Sequence, residues 1–170
     1  MVVAEAARRL REVEPAKATE WLALIQSADV RRQFVGELAG RWSESDPAAA
    51  VRWLEQLPDA SSHVEGHYAL ARQWAFRDSD ATANWISSLP SGTARDSAIG
   101  AFVESVDGYN PALATTWATA IEDTKARNKN VQSAFRRWVD RDANQARTWL
   151  NGAKLDDSLR AELVKTASGR

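Results

Sequence analysis

The sequence predicts an all-α protein, a solenoid of stacked antiparallel helical hairpins with about eleven helices in a 32-residue repeat. Three observations carry this. Trp21, Trp53, Trp85, Trp117 and Trp149 stand 32 residues apart throughout. Trp42, Trp74 and Trp138 fall on a second lattice of the same period, whose remaining position is held by Val106. An Asp or Asn recurs with that period at 46, 78, 110 and 142, ahead of apolar residues at helical spacing. A fixed period of this length marks a repeat array.

The units are 14–45, 46–77, 78–109, 110–141 and 142–170, in a single α-solenoid domain spanning 1–170. Residues 1–13 align with the second helix of a truncated repeat, Leu10 taking the place of Trp42. The chain therefore reads as a segment of a longer array. No linker or low-complexity stretch interrupts it.

Each unit reads as two helices. The first opens on an Asx residue, as in Asp46-Pro47 and Asn110-Pro111. Asp or Asn at the N-cap accepts bonds from orphaned backbone N–H groups, and proline at the first helical position loses no partner. Ser79 and Ala143 replace proline in the third and fifth units, which predicts weaker starts there. Apolar residues follow on one face, Ala50, Trp53, Leu54 and Leu57 in one unit, Ala114, Trp117, Ala118 and Ile121 in another. Pro58 and Pro90 mark the stop. The second helix carries Val35, Leu38, Ala39 and Trp42, or Ile99, Phe102, Val103 and Val106. Asp107-Gly108 predicts a left-handed glycine cap at its end. No hairpin can bury its tryptophans alone, so neighbouring hairpins must complete the core.

Composition narrows the function without naming it. The net charge is −1, with both signs plentiful, so nothing demands nucleic acid or a charged membrane. There is no cysteine, hence no disulfide or thiolate metal site. No apolar run approaches the roughly 20 residues of a membrane span. Arg8, Arg9 and Arg11 follow a short apolar start, the reverse of a signal peptide. The compartment stays open.

His63 and His67 are the only histidines and stand four apart. By column, His67 aligns with Val35, Ile99 and Val131, a core position. His63 aligns with Arg31, Arg95 and Arg127, in the first turn of the second helix. A cation there can bond the last carbonyls of the preceding helix. Ser62 and Glu65 match a capping box. A zinc site would need further ligands that the sequence does not single out. The reading is structural, with no metal and no cofactor.

A basic stretch holds Lys125, Lys129, Arg136, Arg137, Arg141 and Arg147 around the column residue Arg127. It makes a nucleic-acid-binding solenoid an alternative, although a solvated face is the favoured reading. No phosphate loop, nucleophile elbow or paired-carboxylate setting is present, and no enzyme is predicted.

The pattern D-P-x-A-A-x-x-W-L-x-x-L-P is carried by Asp46, Pro47, Ala49, Ala50, Trp53, Leu54, Leu57 and Pro58, with Trp74 before the next unit. It resembles tandem α-hairpin repeats in large bacterial proteins of Planctomycetes and Verrucomicrobia type. That resemblance implies a parent protein that is exported or membrane-anchored. The units resemble tetratricopeptide repeats in architecture only, lacking their 34-residue period. By analogy the solenoid is curved and right-handed, and the first helix of each unit lines its concave side.

The expected function is a non-enzymatic protein- or peptide-binding scaffold, the alternative being a structural spacer with no ligand. On the first helices the outward stripe reads Ala16, Glu20, Ala23; Ala48, Arg52, Glu55; Asp80, Asn84, Ser87; Ala112, Thr116, Thr119; Asn144, Thr148, Asn151. The polar members Glu20, Arg52, Glu55, Asn84, Ser87, Thr116, Thr119, Thr148 and Asn151 are the expected peptide-binding residues. Short polar side chains suit hydrogen bonding to an extended backbone. Exposed terminal helices would also permit end-to-end self-association.

Overall fold

A computed structural model describes residues 15–169, and side chains from Lys17 onward. The expected truncated helix at 1–13 and the side chain of Ala16 lie outside the described residues. Among the described residues there are nine helices and no strand. They are α1 (Pro15–Leu24), α2 (Ala28–Ser45), α3 (Pro47–Glu55), α4 (Ala60–Ala75), α5 (Ser79–Ser88), α6 (Thr93–Val106), α7 (Pro111–Ala118), α8 (Thr124–Gly152) and α9 (Asp157–Ser168). The chain divides into two compact units, one ending at Phe102 and one starting at Val103.

The Asx caps form as the sequence predicts. Asp46 accepts from the Ala49 N–H at 2.9 Å, Asp78 from Ala81 at 2.8 Å, Asn110 from Leu113 at 3.1 Å and Asp142 from Gln145 at 2.9 Å. All four share one backbone conformation, with φ between −153° and −139°. Helix starts expected to be weak at Ser79 and Ala143 therefore form on the cap alone. At Asp142 the non-helical backbone interrupts α8, so residues 124–141 and 143–152 are two limbs of different direction.

Of the longer helices, α2, α4, α8 and α9 are capped by Ser27, Asp59, Asp123 and Asp156. Two expectations need correction here. The capping box at Ser62 and Glu65 does not form, because Asp59 accepts from the Ser62 N–H at 2.8 Å and starts the helix three residues earlier. A carboxylate is the stronger acceptor for these amides, and Ser62 is left buried inside the first turn. Gly108 is not a left-handed cap. Gly92 is the one glycine with positive φ among the described residues, and α6 instead ends with the Tyr109 and Asn110 N–H groups sharing the Val106 carbonyl.

The two tryptophan lattices meet in pairs eleven residues apart. Ring centroids are 5.1 Å apart for Trp42–Trp53, 5.8 Å for Trp74–Trp85 and 5.7 Å for Trp138–Trp149. In each pair an Asx cap lies between the partners, so one ring comes from the helix before the turn and the other from the helix after it. Such pairs contribute about 0.5–1.5 kcal/mol beyond the area they bury. Trp53, Trp42, Trp138 and Trp85 are buried. Trp21 departs from the expected core role and is 41% exposed. Its counterpart at the eleven-residue interval, Leu10, lies outside the described residues.

Within the first unit, α2 packs along α4 while α3 packs against both. Gly66 permits this approach. A Cβ there would fall 2.2 Å from Leu54 Cδ2 and 3.0 Å from Val35 Cγ1, and both of those side chains are fully buried. Gly66→Ala is expected to destabilise the protein by about 1–3 kcal/mol through overpacking. Gly100→Ala, where a Cβ meets nothing within 4 Å, should instead stabilise α6 by about 0.5–1 kcal/mol. Urea melts of the two variants check the opposite signs.

Candidate functional site

The histidines are built into the hairpin. His63 Nε2–H donates to the Leu57 carbonyl at 2.7 Å. Arginines do the same elsewhere: Arg31 to Ile25 at 3.0 Å, and Arg127 to Ile121 at 3.3 Å and Glu122 at 3.4 Å. Arg160 donates to Leu150 at 2.8 Å and also to Ala153. The column predicted from Arg31, His63 and Arg127 is thus a latch onto the carbonyls that end the preceding helix. Each latching residue lies four positions after its N-cap, including Arg160 after Asp156, which both run one residue late in a longer loop.

His67 is buried, with its Nδ1–H donating to the His63 carbonyl at 2.7 Å. Its ring stacks between His63 at 5.8 Å and Trp85 at 5.6 Å. Burial lowers its pKa, with a smaller push from His63 and a partial offset from the bond to the His63 carbonyl and from Glu55. One nitrogen of each ring is committed to a backbone carbonyl. Among the described residues no group of three or more His, Asp or Glu is placed to hold a metal ion.

On the first-helix stripe, Glu20, Arg52, Glu55, Asn84, Ser87, Thr116, Thr148 and Asn151 are exposed, and Thr119 is half-buried. Their hydroxyl protons turn back to their own helices. Ser87 donates to Ala83, Thr116 to Ala112, Thr119 to Thr116 and Thr148 to Asn144, at 2.7–3.0 Å. Asn144 and Thr148 line an open hollow of about 430 Å³ with Trp138, Gln145 and Trp149.

A hollow of about 760 Å³ lies away from that stripe, between α2 and α4. Gly36, Gly40 and Ala69 leave it open, and Glu37, Arg41, Glu44, Glu65, Tyr68, Arg72 and Gln73 rim it. Arg41 and Glu37 pair across one turn at 2.6 Å. The signal for this trough was Gly36-x-x-x-Gly40, two buried positions whose missing side chains leave room for Glu65 and Gln73 of α4.

The basic stretch of the second unit splits into two groups. Arg127 is in the latch. Arg137 Nε donates to Asp107 Oδ2 at 2.6 Å, Arg141 to the Tyr109 carbonyl at 2.7 Å and Arg147 to the Ala167 carbonyl at 2.6 Å. Burial raises the Asp107 pKa and Arg137 partly offsets the rise. Lys125, Lys129 and Arg136 remain, on one face of α8, around an open hollow of about 500 Å³ with Asn128, Gln132 and Ser133.

Comparison with protein-family models, curated proteins and solved structures finds no match.

Two equivalent tryptophans differ in how their buried N–H is paired. Trp53 Nε1–H reaches Thr19 Oγ1 at 3.1 Å, but Trp85 Nε1 has no hydrogen-bond partner. Val51 precedes Trp85 by the same 34 residues that separate Thr19 from Trp53. Val51→Thr is expected to supply the acceptor and stabilise by about 1 kcal/mol, read as a higher Tm. A Tm unchanged or lowered would contradict this.

His67 makes stability depend on pH. Its folded pKa lies below the unfolded value of 6.5, so the unfolded chain binds the proton first. Its contribution is complete above pH 6.5 and is lost as pH falls from there toward the folded pKa. Denaturation midpoints measured across that window should drop in the wild type, with a shallower slope in His67→Leu.

Proposed function

We propose that the chain is a segment of a non-enzymatic scaffold of stacked 32-residue helical hairpins that binds protein or peptide. The Asx caps at 46, 78, 110 and 142 support the repeat. So do the latched carbonyls at 25, 57, 121 and 153 and the three tryptophan pairs. A solenoid is the arrangement such units build when each covers its neighbour. Kinship with the bacterial hairpin-repeat proteins that share the D-P-x-A-A-x-x-W pattern belongs to the same reading.

The observation that carries the binding role is the trough between α2 and α4. It is concave, open and rimmed by side chains of both signs. Tyr68 and the arginines beside it are residue types that dominate binding energy at protein interfaces. The first-helix stripe around Asn84, Thr116 and Thr148 is the second surface proposed. It is exposed, but its hydroxyls are already engaged as donors.

Peptides selected by display against the full chain would test this. Tyr68→Ala combined with Arg41→Ala is expected to weaken selected peptides by about tenfold or more. Arg52→Glu combined with Asn84→Glu should leave them within about threefold. The reverse ranking would move the site to the stripe. A selection that enriches nothing would favour a spacer.

A further inference from the structure

We infer that Lys125, Lys129 and Arg136 of α8, with Asn128, Gln132 and Ser133 between them, form a docking face for an acidic peptide segment in extended conformation. The face lies in the second unit and stands independently of the trough in the first.

The argument begins with what the other cations do. Arg127, Arg137, Arg141 and Arg147 each bond a carbonyl or carboxylate of their own unit. Lys125, Lys129 and Arg136 are exposed, and among the described residues none has an ion pair or side-chain hydrogen bond. No Asp or Glu lines their hollow. Asp140, one turn beyond Arg136, lines a separate hollow with Asp107, Arg137 and Arg141. The three cations therefore share their hollow with no carboxylate, in a chain whose net charge is −1.

Spacing indicates the ligand. At about 1.5 Å per residue, Lys125 to Lys129 covers about 6 Å of helix and Lys129 to Arg136 about 10 Å. An extended chain advances about 3.3 Å per residue and turns every second side chain to the same face, so acidic residues two and then four positions apart meet the cations within the reach of their long side chains. Asn128, Gln132 and Ser133 can bond the intervening peptide groups. Nucleic acid fits less well. No aromatic lines the face to stack a base, and three cations fall short of the six or so phosphate contacts that make strong backbone binding.

The probe is a labelled peptide with glutamates at its first, third and seventh positions and serine and glycine elsewhere, titrated into the full chain at low salt and read by fluorescence anisotropy. Binding is expected. It should weaken about tenfold or more when Lys125→Glu, Lys129→Glu and Arg136→Glu are combined, and disappear for the glutamine version of the peptide. Lys154→Gln with Lys165→Gln should leave it unchanged. Because the three side chains hold nothing in the fold, the triple variant should keep the wild-type helical circular dichroism and Tm. Absence of binding at low salt, or equal affinity for the triple variant, would overturn the assignment. So would a single-stranded oligonucleotide that binds more tightly than the peptide and displaces it, which would give the face to nucleic acid.

Discussion

Two tryptophan rings eleven residues apart hold three of the four described Asx turns, at 42–53, 74–85 and 138–149, while Val106 stands in place of a ring before the turn at Asn110. The helices they anchor could not stand alone. α1, α3, α5 and α7 have 10, 9, 10 and 8 residues, and isolated helices below about 12 residues are marginal in water. Their stability must come from burial against other helices. The Asx residue between the paired rings fixes the direction of the turn, and the rings fill the space that turn creates. Sequence period, cap and core pair are three aspects of one joint.

The other joint lies inside the hairpin and is polar. A guanidinium or imidazole from the first turn of the long helix closes onto the last carbonyls of the short one. These carbonyls have no partner within their own helix, and a cation at that end also meets the negative end of the helix dipole. His63 fills the role through one N–H where Arg160 uses two. The apparent metal motif of two histidines is thus one latch residue and one core residue in a ring stack.

Features set by contacts within a few residues could be read from the sequence. Asx caps need only the residue three positions on, and the latch column only a loop of constant length. Tryptophan period revealed the core but not the pairing, because the partner of a ring depends on how one helix crosses the next. The fates of Arg137, Arg141 and Arg147 were hidden for a related reason. Long side chains reach atoms 20 to 32 residues away in sequence, and no local pattern announces that reach. Ser62 and Glu65 show the opposite failure, a valid local motif displaced by a better acceptor at Asp59. The trough at Gly36 and Gly40 needed the position of α4 before it could be seen.

The loop before α9 carries a wider consequence. In the hairpins of Arg31, His63 and Arg127, the N-cap follows the latched carbonyl by two residues, whereas Asp156 follows Ala153 by three. Cap and cation moved together, keeping their separation of four, and the latch still closed. The hairpin loop therefore takes up a change of length, whereas the four Asx turns keep one cap conformation and one spacing of 32 residues. Lineages of such a protein would gain and lose residues in these loops first, and a foreign sequence grafted there would disturb the joints least.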